Sequence, residues 1–127
     1  MRFIMMVKAD PSFEAGVPPK PELIAAIGKL TEEMTRSGVM VQTGGLMPSA
    51  KGARVRVAGG RITAVDGPFS ETKELIGGYA IVDVGSRSDA LALARRFMEI
   101  HVEVLGAAYE GECEIRQMFE GPDCSGR

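Results

Sequence analysis

The 127-residue sequence has no tryptophan, one histidine and two cysteines. His101, Cys113 and Cys124 stand apart, so no cluster of His, Cys, Asp or Glu has metal-ligand spacing, and no CxxC pair exists. Neither a tight metal site nor an iron–sulfur cluster, which needs several thiolates, is expected. With Cys124 in a Gly/Pro/Ser tail, two reduced thiols are expected rather than a bridge, and the cytoplasm is the expected address. Long apolar runs are also missing. Phe3 to Val7 is too short for the core of a signal peptide and far too short to span a bilayer. No excess of positive charge exists, since 15 basic residues face 17 acidic ones, and the basic residues are scattered rather than gathered into a nucleic-acid footprint. Gly44-Gly45 and Gly77-Gly78 lack the context of a phosphate loop and read as strand ends. No cofactor, nucleic-acid partner or membrane partner is therefore expected.

What remains is an ordinary globular composition, 45% apolar and 25% charged, at the size of one domain. The domain is expected over residues 1–120, with 121–127 as a tail. Phe3-Ile4-Met5-Met6-Val7 reads as a buried strand, and Ala9 to Pro19, with three prolines, as a loop. From Pro21, a good first-turn residue, Leu23, Ile24, Ile27, Leu30 and Met34 form a helical stripe closed by Gly38. Val39 to Thr43 is a second strand. Ala53–Ala58 and Arg61–Val65 flank Gly59-Gly60, a two-residue turn that needs positive φ and predicts a hairpin pairing Val57 with Ile62 and Val55 with Ala64. A short polar helix is expected over Ser70–Leu75, broken by Gly77-Gly78 ahead of a strand at Tyr79–Val84. Ser86 caps a helix that buries Ala90, Leu91, Ala94, Phe97 and Met98. His101 to Gly111 reads as an irregular or partly helical connection, and Cys113–Phe119 as the last strand. The order is an α+β, ferredoxin-like βαββαβ with an inserted hairpin and short helix.

Two long helices cover one face of such a sheet, yet Phe3/Met5/Val7 and Ile4/Met6 are apolar on both faces, as are Ala80/Val82/Val84 and Tyr79/Ile81. A second copy of the sheet is the simplest cover for the other face, so a homodimer is expected; the alternative is that the Asp66–Leu75 insertion folds over it.

Asp66-Gly67-Pro68-Phe69-Ser70-Glu71-Thr72-Lys73-Glu74, followed by Gly77-Gly78-Tyr79, resembles the signature of the DGPF-motif branch of the YCII-related family. Lys51 to Arg56, Met1 to Lys8 and Glu114-Ile115-Arg116 resemble that branch's neighbouring, first and last strands. The resemblance implies a ferredoxin-like protomer assembled as a dimeric α/β barrel. It implies little about activity: most members are of unknown function, and some genes of the branch neighbour those of extracytoplasmic-function sigma factors. Relatives in the wider group act as dehydrochlorinases, with a proposed site pairing a His near the first helix with an Asp. Here Glu22 to Arg36 contains no histidine, so the resemblance places no such pair on that helix.

Two readings stand for the residues of the motif. Asp66 to Phe69 can form a tight turn with Phe69 plugging the core. Alternatively the turn aims Asp66, Glu71 and Lys73 at a pocket, where a desolvated carboxylate beside a cation acts as a general base. Arg54 and Arg56 either clamp an acidic ligand or keep an edge hairpin soluble. Phe69 and Tyr79 join the same ligand-binding neighbourhood. His101 is the one side chain with an ordinary pKa near neutrality, and reads as a connecting residue before a catalyst. The functional expectation is a small-molecule site for an acidic or phenolic compound, with cofactor-independent lyase, isomerase or dehydrochlorinase-like chemistry. The alternative is a non-catalytic dimeric binding or regulatory module linked, through the gene neighbours, to sigma-factor-dependent transcription.

Overall fold

A computed structural model describes residues 1–71 and 74–120 of the chain. The elements in order are β1 (Arg2–Lys8), α1 (Pro11–Glu14), α2 (Pro21–Arg36), β2 (Met40–Gly45), a 3-10 turn (Ser49–Lys51), β3 (Ala53–Ala58), β4 (Arg61–Asp66), β5 (Ile76–Asp83), α3 (Arg87–Leu105) and β6 (Cys113–Gln117). Four strands form an antiparallel sheet in the order β2–β5–β1–β6, and β3–β4 form a separate two-stranded sheet. This mixed α+β arrangement, with β1 and β2 separated by β5, is consistent with the ferredoxin-like split βαβ.

Register decides which side chains meet. Phe3 lies opposite Val82, and Met5 opposite Ala80 on one side and Ile115 on the other. Because side chains alternate along a strand, Phe3, Met5 and Val82 share one face. There they pack against Met34 of α2 and Ala90 and Ala94 of α3, with Leu30, Met40, Phe97 and Ile115 around them. Burying each large apolar side chain contributes about 1.5–3 kcal/mol. The two alanines leave α3 room to approach the strands. Ile4, Met6, Tyr79 and Ile81 lie on the opposite face, each partly accessible.

The local signals read in the sequence govern the helices. Pro21 opens α2, and Leu23, Ile27, Leu30 and Met34 face inward, while Ile24 is left exposed. Ser86 caps α3, its Oγ accepting from Asp89 N at 3.2 Å. The hairpin register is as predicted, Val57 with Ile62 and Val55 with Ala64, turning through Gly59 and Gly60 at φ +57° and +76°.

Elsewhere the structure corrects the reading. The proline-rich loop after β1 contains α1, because Asp10 accepts from Phe13 N at 2.7 Å and Pro11 occupies the first turn. β5 starts at Ile76, so Gly77 and Gly78 belong to the strand, where Gly78 pairs with both Val7 and Gly45. α3 runs to Leu105, so His101 is helical and buried rather than part of an irregular connection. Leu91 is exposed. β6 stops at Gln117. The short helix expected over Ser70–Leu75 includes Thr72 and Lys73, which lie outside the described residues, as does the tail with Cys124. Cys113 is a free thiol. No described helix is long and apolar enough to cross a membrane, and no metal-ligating cluster occurs among the described residues.

Candidate functional site

A cavity of about 600 Å³ opens where the C-terminal end of β1 meets the start of β5, α1 with the segment after it, and the last turns of α3. Its wall is mostly apolar, with Phe13, Leu23, Phe97 and Leu105 among the lining residues. Lys8, Asp10, Ser12, Lys20, His101 and Tyr109 supply the polar side chains.

His101 reaches this wall because it continues the inward stripe of α3. Ala90, Ala94, Phe97 and His101 are spaced by four, three and four residues, one face of a helix. The side chain is 6% exposed. Its Nδ1 lies 2.9 Å from the Phe97 carbonyl oxygen. A carbonyl can only accept, so Nδ1 carries the proton and Nε2 is the basic nitrogen. No fully buried side-chain nitrogen or oxygen among the described residues lacks a hydrogen-bond partner. Nε2 has no hydrogen-bond partner among the described residues and so is not fully buried, and His101 is one of the residues that line the cavity. The ring packs against Phe97 at 4.7 Å and stacks on Tyr109 at 5.2 Å.

Tyr109 completes the group. Burial, then the negative charge of Asp10, then Cys113, push its hydroxyl pKa above the usual tyrosine value, so it stays protonated and able to donate. Gly111 leaves room for it, since a Cβ there would overlap the phenol ring unless that ring moved. Asp10 is fixed by its capping bond to Phe13 N. Lys8 is held by Glu114 at 3.4 Å, and that carboxylate is kept below its usual pKa chiefly by its hydrogen bond to Arg116. Burial raises the pKa of the Cys113 thiol, which leaves it a poor nucleophile.

The motif residues assemble elsewhere, at the base of the hairpin. Asp66 ends β4 and is exposed. Gly67 lies so close to the Ser49 carbonyl that a Cβ would sit 1.8 Å from the oxygen. Phe69 N donates to Ser49 Oγ at 3.0 Å, and Ser49 N donates to the Glu14 carboxylate at 2.9 Å. The motif is therefore braced through Ser49 to α1, which carries Phe13 on the cavity wall. Phe69 is half-buried outside the core, its ring under the Arg54 guanidinium at 3.9 Å. Arg54 also reaches Glu71 at 3.7 Å, while Arg56 is exposed on the hairpin. Tyr79 pairs with Gly44 across β2 and accepts from Gln42 Nε2 at 3.0 Å. Lys73 lies outside the described residues. Arg54, Phe69 and Glu71 thus come together; Tyr79 and His101 stand apart from them.

Asp10 and Tyr109 were not singled out in the sequence, although Asp10-Pro11 is a helix-opening signal. The His101 stripe was legible in principle, because its spacing extends that of Ala90 and Ala94.

Comparison with known proteins agrees with this architecture. The YCII-related domain matches residues 1–104, a span that includes Asp10 and His101 and ends before Tyr109. An uncharacterized protein of Rhizobium meliloti is 40% identical over 50 residues, which are 39% of this chain and 40% of that protein's length. The match over most of its length shows that the chain belongs to the YCII-related domain family.

Proposed function

We propose that the cavity binds a small aromatic or cyclic compound bearing a carboxylate or phenol, and that His101 moves a proton on it. One observation carries the reading. The chain's single histidine is buried, tied through Nδ1, and lines a mostly apolar cavity. A base held in this way can take a proton from carbon or oxygen. The protonated Tyr109 beside it can hydrogen-bond the oxygen on which charge develops, and Lys20 on the wall can meet the anionic end of the ligand. Isomerisation returns the proton to a different atom; elimination expels a leaving group such as chloride as the base takes the proton. Both need only this base and these donors.

In this reading Asp10, which caps α1, and His101 of α3 reach one cavity, so the imidazole comes from the second long helix instead of the first. The run Asp66-Gly67-Pro68-Phe69 supports placement in the DGPF-type branch. The free Cys113 supports a reducing compartment, the cytoplasm.

The test uses the solitary imidazole, whose ring gives one set of NMR resonances. A panel of benzoates and phenols is screened by thermal shift, and each binder is titrated into protein carrying ¹⁵N-histidine. Binders are expected to raise the melting temperature and to shift the Nε2 resonance. A panel that binds without moving that resonance, or that does not bind at all, overturns the reading.

A further inference from the structure

We propose that the ligand of the His101 site is elongated and amphipathic, with an acidic or phenolic ring beside His101 and an alkyl tail that enters a second cavity under α2. This deepens the function proposed above and rests on it. The second cavity, of about 320 Å³, lies between α2 and the main sheet. It adjoins the first, since Val7, Gly78 and Phe97 line both. Phe97 also packs its ring against His101 at 4.7 Å, so the two spaces meet next to the proposed base.

Strand register makes the space. Residues directly opposite in an antiparallel pair point to the same face, so Met5, Ala80 and Thr43 form one row toward the helices, and Val7, Gly78 and Gly45 the next. Two adjacent glycines and an alanine leave this part of the floor without large side chains. Gly45 does not have a positive φ, and a Cβ there would meet no atom within 4 Å, so neither backbone conformation nor crowding demands glycine. From above, Ile27 and Leu30 lie on the inward stripe of α2 yet stay half-buried, whereas Met34, one turn further on, is 6% exposed. Protein interiors leave few voids larger than a water molecule, and a space of this size is ample for part of a ligand.

The chemistry of the wall names the tail. Among the described residues, no charged side chain lines the second cavity. The Thr43 hydroxyl on its wall already donates to the Tyr79 carbonyl at 3.0 Å. Met5, Met34 and Met40 bring flexible, polarisable thioethers, which adapt to chains of varied shape. A charged extension of the ligand would lose its hydration here and gain no partner. The first cavity, by contrast, gathers Lys8, Asp10, Lys20, His101 and Tyr109. One end of the combined site suits an anion or phenol and the other a hydrocarbon. A tail seated past Phe97 limits how the ring can turn, and so orients it against the imidazole.

The test is a series of para-alkyl phenols and benzoates, from methyl to hexyl, titrated into the full chain by calorimetry while the His101 nitrogen resonances are followed. Affinity is expected to rise about fourfold per methylene, as burial of one such group gives, until the cavity is full. In wild type, NOEs should join the terminal methyl of the butyl compounds to the Ile27 and Leu30 methyls. Gly45→Leu places an apolar side chain in the second cavity, which Gly45 lines, and not in the first, which it does not. The variant should weaken the hexyl compounds about tenfold and largely spare the methyl ones, with circular dichroism checking the fold. Affinity that stays level along the series, missing NOEs, or a full chain-length gain in Gly45→Leu each overturns the proposal. Should the variant unfold, the wild-type NOEs decide alone. Short compounds that bind and shift the His101 resonance, with no gain from longer tails, remove only the tail. A series that never binds, or never moves that resonance, removes the His101 reading and the tail with it.

Discussion

Gly67 shows how a recognisable motif can carry a packing requirement at one atom. A Cβ at this position would stand 1.8 Å from a backbone oxygen that has no rotamer by which to escape. Gly67→Ala must therefore displace the Ser49 turn or the strand end, and is expected to cost about 3 kcal/mol in urea unfolding. The neighbouring Asp66 is exposed. Asp66→Asn retains the shape of the side chain and should change stability by less than about 0.5 kcal/mol. If Asp66→Asn proves the more damaging of the two, the assignment of the packing role to Gly67 is wrong. The sequence identified this turn but could not show which of its residues touches what. Ser49, the contact, lies 18 positions away in an unremarkable stretch.

Two groups at the end of α3 and the start of β6 lead to an expected response to alkali. Tyr109 and Cys113, in and beside the connection from α3 to β6, both have pKa values raised above their ordinary 10.0 and 9.0, chiefly by burial. Both bind their protons more tightly in the folded chain than in the unfolded one. As pH rises past 9 the unfolded chain releases protons first, so it binds fewer, and stability falls with pH. This contribution is fully present below pH 9 and is lost as the pH climbs through the raised folded values. Urea midpoints are expected to hold steady from pH 7 to 9 and then decline, and Tyr109→Phe/Cys113→Ala should flatten the decline. An unchanged slope in that variant would assign alkaline lability to other groups. Legibility at this scale depended on how local each signal was. The hairpin turn and its alternation declare a register within 13 residues. By contrast, His101 acquires its meaning from Phe97 one turn before it and Tyr109 beyond the helix end.

Across the whole molecule, the cavity was the part least accessible to sequence reading, because it is a space between elements. Asp10 and Tyr109 are 99 positions apart, and no periodicity links them. The α+β class, by contrast, was legible in the order of strands and helices along the chain, and the observed strand order is consistent with its ferredoxin-like form. The same long-range logic joins the hairpin base to the cavity. Ser49 touches Gly67 through its carbonyl and Glu14 through its N–H, and Glu14 closes α1, whose Phe13 lines the cavity. A double-mutant cycle can test whether this brace is mechanical. Glu14→Ala removes the acceptor of the Ser49 N–H and should itself cost about 1–3 kcal/mol. It also frees the turn to move. Gly67→Ala, costly when Ser49 is held in place, should then be accommodated by a shift of the turn. The pair is expected to be less destabilising than the sum of the singles by about 0.5 kcal/mol or more, whereas independent sites add to within about that margin. Strict additivity would mean that Ser49 yields to Gly67→Ala without straining its bond to Glu14, and the motif would then have no mechanical hold on the cavity wall.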